Sequence, residues 1–168
     1  MALDPETLLR EAKALQEELV ALRRDIHAHP ELGICEVRTT ALIKKYLEEL
    51  GIEVRPCTET GVLGILYGGK PGKTIGLRAD IDALPIQEET GLPFASKNAG
   101  VMHACGHDLH TASLMGAAKI LSAHRDALCG NVKFFFQPDE EGNGGAERMV
   151  RAGCLQGPDV DAVFGGHS

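Results

Sequence analysis

The sequence lacks the features that direct a protein into or across a membrane. No part of the 168-residue chain approaches the roughly 20 consecutive apolar residues of a transmembrane helix. The opening segment, MALDPETLLREAK, has no basic stretch followed by an apolar run, so no export signal is predicted. We therefore expect a cytoplasmic protein that has no membrane partner.

Positive charge is scarce as well. The chain has 17 Lys and Arg residues against 24 Asp and Glu residues, which gives a formal net charge of −7. Such an acidic balance argues against nucleic acid and anionic lipid as partners. The 43% of apolar residues and the 24% of charged residues are ordinary for a globular protein, and the length suits a single domain with a real core.

Several catalytic and binding motifs are missing. The turn GGKPGK lacks the GxxxxGK[ST] pattern of a phosphate-binding loop, and the GxSxG turn of the serine hydrolases does not occur. There is also no CxxC pair among the five cysteines, which are widely spread. In a reducing compartment we expect free thiols, with Cys105 taking part in chemistry and the cysteines at 35, 57, 129 and 154 packed in the interior.

The order of predicted elements indicates an α/β fold. Helices are predicted over about 4–28, 36–50, 109–124 and 144–152. Strands are predicted in GIEVRPC, GVLGILYG, KTIGLRAD, NVKFFFQ and DAVFGG, with GGKPGK joining the second and third as a hairpin. Strands that alternate with helices in this way form a mixed, largely parallel sheet with helices on both faces. The last strand has nothing behind it, so we expect an incomplete domain, the front part of a larger one.

Polar side chains follow three of the predicted strands. Asp80 and Asp82 come at the end of KTIGLRAD and just after it, Glu140 and Glu141 follow NVKFFFQ, and His167 follows DAVFGG. Because sites in open parallel sheets gather beyond the carboxyl ends of the strands, we expect these groups to share one rim. The two aspartates can also be explained as ordinary turn residues.

The segment HACGHDLH, residues 103–110, is the densest group of metal-binding side chains in the chain. Cys105 and His107 are two positions apart, so an extended backbone would point both the same way. A thiolate and an imidazole are suitable ligands for zinc and other divalent metals, and a helix start after them would keep the thiolate ionised. His103 and His110 are either further ligands or hydrogen-bonding partners at the start of the helix.

The adjacent Glu140 and Glu141 suit metal-assisted hydrolysis. On an extended backbone they point in different directions, so one can bind a metal while its neighbour reaches a water molecule. A bound cation lowers the pKa of water from ~15.7 towards ~7, and a carboxylate then moves the proton. The structural alternative is a solvated pair of surface glutamates.

Five segments in order carry a family resemblance. They are HPELGICEVRTT, LRADIDALPIQEETGLPFAS, MHACGHDLHTASLMGAA, FFFQPDEEGNGGAERMV and FGGHS, and the similarity runs from about residue 20 to the last residue. Together they resemble the aminoacylase and carboxypeptidase-like zinc metallopeptidases. More narrowly, the chain is similar to the amidohydrolase branch that acts on N-acyl amino acids, hippurate and indole-acetyl amino acids. This resemblance implies a zinc-exopeptidase-like catalytic domain.

The resemblance also implies a site for two divalent metal ions, zinc or else manganese, cobalt or nickel. Cys105, His107, Glu141 and His167 match metal ligands of the family. Glu140 matches its general base. The implied reaction is attack of an activated water on an amide carbon, with Glu140 taking the proton and returning it to the leaving amine. The products would be a carboxylic acid and a free amino acid.

Three further residues are carried over as supporting groups, and two positions depart from the family pattern. Asp82 matches an acidic position that supports the metal ligands, Asp80 lies beside it, and His110 follows on the same helix as the CGH motif. Asp139 stands where a small apolar residue is more usual, and Gly166 stands where a larger one is usual. Neither departure removes a ligand.

Family members are about twice as long or longer. The resemblance therefore implies that residues 1–168 are the amino-terminal part of the catalytic domain. A lid and dimerisation domain, a final histidine ligand and the rest of the catalytic domain would lie outside this chain. The implied substrate is a small N-acyl amino acid or a dipeptide-like molecule, and the full-length protein is expected to form a homodimer.

Two other functional hypotheses are compatible with the same residues. One is a non-catalytic metal-binding or interaction fragment whose site is only half assembled. The other is a thiol enzyme in which Cys105 is the nucleophile and His107 its base. Metal binding, hydrolysis of N-acyl amino acids and alkylation of Cys105 distinguish the three.

Overall fold

The computed structural model describes residues 4–142 and 144–167. Five α-helices, one short 3₁₀ helix at Arg125–Ala127 and five β-strands occur in these residues. The helices are α1 (Pro5–Ala14), α2 (Gln16–Ala28), α3 (Val37–Glu49), α4 (His107–Ala123) and α5 (Gly145–Arg151). The strands are β1 (Glu53–Pro56), β2 (Val62–Tyr67), β3 (Lys70–Asp80), β4 (Cys129–Gln137) and β5 (Ala162–Gly165).

The strands form one mixed sheet in the order β1-β2-β4-β3-β5. The pairs β1/β2 and β2/β4 are antiparallel, whereas β3 pairs in parallel with β4 on one side and with β5 on the other. Helix α5 lies on one face, and α3 and α4 pack on the other. The prediction of a mixed α/β sheet with helices on both faces is confirmed, although two of the four strand pairs in the described residues are parallel rather than most of them.

The predicted hairpin between β2 and β3 is wrong. β4 lies between these strands and bonds to both, so they are two strand spacings apart, about 10 Å. The linking residues run past the start of β4, where the N–H of Gly68 donates to the carbonyl of Gly130 at 3.0 Å. β4 takes the inner position because its run of apolar residues suits a strand that is covered on both faces.

Alternation along β4 builds the two cores. Phe134 and Phe136 face α3 and α4, where they are fully buried with Leu47 and Met115. Phe135 points to the opposite face, into a smaller cluster that contains Met149 of α5. Burying a phenylalanine side chain contributes roughly 1.5–3 kcal/mol, so this short run anchors both layers of helices to the sheet.

The predicted helices are present, but one is interrupted in its interior and another begins earlier than predicted. Asp4 caps the first helix by accepting from the N–H of Thr7 at 3.1 Å, as its position before Pro5 predicts. The helix predicted over 4–28 is interrupted at Leu15, which separates α1 from α2. Helix α4 begins at His107, two residues earlier than predicted, because Gly106 takes a left-handed conformation with φ of +80° and ends the loop there.

The cysteines divide into two groups. Cys57 and Cys154 are buried in the cluster around Phe135, as packing residues should be. Cys35 and Cys129 are exposed, so the prediction that they pack in the interior is wrong. Cys129 opens β4 at the edge of the core, and Cys35 lies in the loop before α3. All five thiols are free.

Among the described residues, no helix has the length and apolar character needed to cross a membrane.

Candidate metal centre

Three parallel strands deliver polar residues to one edge of the sheet. Because β3, β4 and β5 run in the same direction, their carboxyl ends meet at this edge. Asp80 ends β3, Glu140 and Glu141 follow β4, and His167 follows β5. The start of α4 lies against the same edge. Its first residue, His107, is within hydrogen-bonding distance of Asp82, which follows the end of β3 by two positions.

A group of potential metal ligands forms at this edge. One ligand atom each from Cys105, His107 and Glu141 lies within 4.8 Å of the others. Nε2 of His167 is 3.9 Å from Sγ of Cys105. Glu140 is beside them, with Oε2 3.9 Å from Nε2 of His107. The structure thus brings together all five residues that the resemblance associates with metal binding and proton transfer.

The backbone around Cys105 differs from the one expected. Residues 104–106 form a turn rather than an extended segment, and His107 is already in α4. The two side chains meet because the left-handed Gly106 reverses the chain between them. The prediction that the thiol of Cys105 is ionised is also wrong for the metal-free chain. A hydrogen bond with Glu141 is the main cause, and burial adds to it; together they raise the pKa of Cys105 to about 11.

Asp82 orients His107. Its Oδ1 is 3.1 Å from Nδ1 of His107, and its backbone carbonyl is 2.9 Å from the same nitrogen. A proton on Nδ1 leaves Nε2 as the atom that faces Cys105 and the two glutamates. Burial favours a lower pKa for His107, but the hydrogen bond with Asp82 and the charges of Asp80 and Asp82 outweigh it and raise the pKa.

The other oxygen of Asp82 holds the segment after β4. Oδ2 accepts the backbone N–H of Glu141 at 3.1 Å. Burial opposes ionisation of Asp82, but the hydrogen bonds from His107 and from the backbone N–H groups of Glu141 and Glu140 lower its pKa below the usual value. Asp82 is therefore a buried carboxylate that joins β3, α4 and the segment after β4.

Asp80 forms a second cluster with two histidines. Its Oδ1 is 2.7 Å from Nδ1 of His110, and its Oδ2 is 3.6 Å from Nε2 of His107. Ligand atoms of these three buried residues also lie within 4.8 Å of one another. Arg78 pairs with Oδ2 of Asp80 at 2.7 Å. Arg78 is not among the residues predicted from the sequence, although its place two residues before Asp80 on β3 puts both side chains on one face.

His103 lies apart from these clusters. It is buried, and neither of its ring nitrogens has a hydrogen-bond partner among residues 4–142 and 144–167. Burial lowers its pKa to about 4, so the ring is neutral. His27, whose Nδ1 is 2.7 Å from Asp108, is its aromatic neighbour. The structure gives His103 no place in the groups of potential ligands that include Cys105 and Asp80.

The donor set and one buried nitrogen fit a divalent cation. Nε2 of His107 is buried and has no hydrogen-bond partner within the described part of the chain. It faces carboxylate oxygens of Asp80, Glu140 and Glu141 at 3.6, 3.9 and 3.8 Å. A thiol, imidazoles and carboxylates are the ligands that zinc and related metals take in proteins. The donor types gathered at this edge therefore fit a divalent metal.

Comparison with protein families identifies the chain. Residues 76–168, more than half of its length, match the model of peptidase family M20/M25/M40. The chain belongs to this family. The M20 assignment confirms the resemblance to zinc metallopeptidases and places the matched residues across the whole edge just described, from β3 to His167.

Individual M20 relatives agree with this assignment. The chain is 51% identical to the N-acetyl-L-cysteine deacetylase of Bacillus subtilis (strain 168), covering 92% of the chain and 37% of that protein. It is 48% identical to the N-acyl-L-amino acid amidohydrolase of Geobacillus stearothermophilus, covering 96% of the chain and 44% of that protein. The chain thus spans about two fifths of the length of these curated relatives.

A crystal structure in the same family has a similar fold. The Bacillus subtilis YXEP protein, a dinuclear metal binding peptidase from the M20 family, superposes with a TM-score of 0.88 at 51% identity. The match covers 93% of this chain and 44% of that one. The chain therefore shares its fold with a solved dinuclear metal binding peptidase of the same family.

Proposed function

We propose that the protein to which this chain contributes hydrolyses the amide bond of N-acyl amino acids with the help of two divalent metal ions. The observation that carries the proposal is the meeting of Cys105, His107 and Glu141 within 4.8 Å, with Glu140 next to them. Relatives named as an N-acetyl-L-cysteine deacetylase and an N-acyl-L-amino acid amidohydrolase support an amide substrate of this class.

Cys105, His107, Glu141 and His167 are the residues that would hold the metals. When bound, the metals supply a more acidic water and a polarised substrate carbonyl. Their ligand set tolerates zinc, manganese, cobalt or nickel. Asp82 orients the ring of His107. Asp80, which is 2.7 Å from Nδ1 of His110, is a further carboxylate that faces Nε2 of His107.

Glu140 would act as the general base. Its carboxylate lies at the rim, partly open to solvent, whereas its neighbour Glu141 is tied by its backbone N–H to Asp82. A carboxylate in this position takes a proton from the attacking water at Oε2 and gives it to the nitrogen of the leaving amine. Glu140 thus serves both halves of the reaction, and the products are a carboxylic acid and an amino acid.

We also propose that this chain contains only part of the catalytic domain. β5 has a partner strand on one side, β3, and Phe164 on it is 59% exposed. An edge strand with large exposed apolar residues is normally covered. This supports the idea that residues 1–168 are the amino-terminal part of the catalytic domain, with the remainder and a lid and dimerisation domain elsewhere in the protein. A cytoplasmic location and a homodimer stay predictions.

The experiment that tests the function compares Glu140→Gln with Glu141→Gln in the complete enzyme. Metal content is measured by elemental analysis, and hydrolysis is followed with N-acetyl amino acids. Glu140→Gln should keep its metals and lose about 10²–10⁴-fold in kcat. Glu141→Gln should lose metal affinity, because it removes a charged ligand. Full hydrolysis by both variants would overturn the proposal.

The alternative of a non-catalytic metal-binding fragment gives a different result. In that case the 168-residue chain would bind metal without turnover of any N-acyl amino acid, even when the complete protein hydrolyses it. If the complete protein also bound metal without turnover, the proposed hydrolase function itself would fail.

A further inference from the structure

Two buried carboxylates from the first half of the chain hold the backbone of the segment that carries Glu140 and Glu141. Asp82 accepts the N–H of Glu141 at 3.1 Å. On the other side of the segment, Oε1 of Glu36 accepts the N–H of Asp139 at 2.9 Å. The backbone is therefore fixed immediately before Glu140 and immediately after it. Asp82 also contacts His107. The hydrogen bonds of Glu36 within residues 4–142 and 144–167 go to Thr60 and Asp139 and to no proposed metal ligand.

Glu36 is fully buried, which is unusual for a carboxylate. It lies in the loop just before α3, and its second oxygen accepts the hydroxyl of Thr60 at 2.6 Å. Both oxygens are thus bonded, one to the segment after β4 and one to the residue that precedes β2 by two positions. Burial raises the pKa of Glu36, although the hydrogen bonds from Thr60 and Asp139 oppose the rise.

The peptide that Glu36 holds has an unfavourable backbone conformation. Asp139 has a φ of +51°, in the left-handed region that non-glycine residues rarely occupy. Such a conformation persists only where surrounding contacts maintain it. Because Asp139 directly precedes Glu140, its backbone angles set the direction in which the Glu140 side chain projects from the backbone. The bond from Glu36 is made by the amide of this same residue.

We infer that Glu36 is a positioning residue for the general base: it maintains the left-handed conformation of Asp139 and so directs the Glu140 carboxylate toward the cluster formed by Cys105, His107 and Glu141. The inference rests on the proposed function. It assigns Glu36 no contact with substrate or metal, and it explains why a buried carboxylate has both of its oxygens occupied by hydrogen bonds.

Kinetics in the complete enzyme test the inference. If Glu36 acts through Glu140, the effects of substituting the two residues on kcat should not add. Glu36→Ala removes the acceptor, and a misplaced base should lower kcat by about 10–100-fold while KM changes less than about twofold. Glu36→Gln keeps an acceptor for the Asp139 N–H and should restore most of the rate. In a Glu140→Gln background, Glu36→Ala should cause no further loss, because the group it positions is already gone.

Glu31 provides a matched control. Its carboxylate also accepts two backbone N–H groups, but these belong to Arg38 and Thr39 in the first turn of α3, at 2.9 and 2.8 Å. Glu31→Ala should lower the stability of the protein. Any effect that it has on kcat should simply add to the effect of Glu140→Gln. If Glu36→Ala fails to fold, Thr60→Val removes only the second hydrogen bond of Glu36 and should give a smaller loss with the same non-additivity.

Hydrogen exchange supplies a readout that does not depend on activity. In the complete enzyme, Glu36→Ala should speed exchange of the Asp139 amide by about tenfold or more, seen in peptides that span 137–142, whereas Glu31→Ala should not. Unchanged exchange, or an equal loss of kcat with and without Glu140, would overturn the inference. If the enzyme proves not to be a hydrolase, the exchange result still shows whether Glu36 holds the segment, so the two failures are distinguishable.

Discussion

Oδ1 of Asp82 and Nδ1 of His107 are 3.1 Å apart in the buried base of the cluster. This contact settles which ring nitrogen is turned toward Cys105 and the glutamates, because the nitrogen that bonds Asp82 is unavailable to a metal. Asp82 also binds the N–H of Glu141, so a single carboxylate organises two of the proposed ligands.

Removing this carboxylate should therefore weaken metal binding. We expect Asp82→Ala to lower the affinity for zinc by about 10–100-fold, since partners that orient a metal-binding histidine commonly contribute that much. Competition with a chelating dye measures the change. Asp126→Asn, at an exposed position in the 3₁₀ helix, is the control and should leave the affinity unchanged. Equal affinities for wild type and Asp82→Ala would show that Asp82 does not support a metal ligand.

Alkylation of Cys105 should be slow without metal and slower still with it. Because its pKa is raised to about 11, only roughly one thiol in 10⁴ is ionised at pH 7, and the rate should climb as pH rises toward that value. A bound metal should block the reaction. Peptide mapping after iodoacetamide treatment measures this, with the exposed Cys35 and Cys129 as internal references. Fast alkylation at neutral pH that metal does not slow would favour the reading in which Cys105 is a nucleophile.

Gly33 should be intolerant of a side chain because of Asp139. A Cβ at Gly33 would overlap Oδ1 of Asp139, so we expect Gly33→Ala to cost about 1–3 kcal/mol in the free energy of unfolding. The double variant with Asp139→Ala should recover part of this cost. Urea denaturation measures the stability of both variants. Gly166→Ala is the control, because no atom of the residues that the structure describes lies within 4 Å of a Cβ there. Additive effects of the two substitutions would contradict this steric explanation.

Two phenylalanines should differ sharply in their effect on stability. Phe134 is fully buried in β4, and Phe134→Ala should lower the free energy of unfolding by about 3–5 kcal/mol. Phe164 is 59% exposed on β5, so Phe164→Ala should cost less than about 1 kcal/mol in the 168-residue chain. Thermal or urea unfolding of the chain measures both. A larger cost for Phe164→Ala in the complete enzyme would support the proposal that the rest of the protein covers β5.

Local patterns predicted most of the secondary structure. The apolar run around Phe134 predicts a buried strand, and Asp4 before Pro5 predicts the start of the first helix, because both depend on residues next to each other in the chain. The placement of Asp80, Glu140 and His167 at one edge was also predictable, since it follows from strand direction alone. The interruption of the first helix at Leu15 was not predictable, because neither glycine nor proline occurs there.

By itself the sequence determined the α/β class, the strand exits, the family resemblance and the residues able to bind a metal. Tertiary structure alone decided that β4 separates β2 from β3, that Asp82 orients His107, and that Glu36 reaches Asp139 across 103 positions of sequence. The reason is physical. Periodicity and turn chemistry are properties of neighbouring residues, whereas strand order and the pairing of buried carboxylates with N–H groups depend on which distant segments pack together and exclude water.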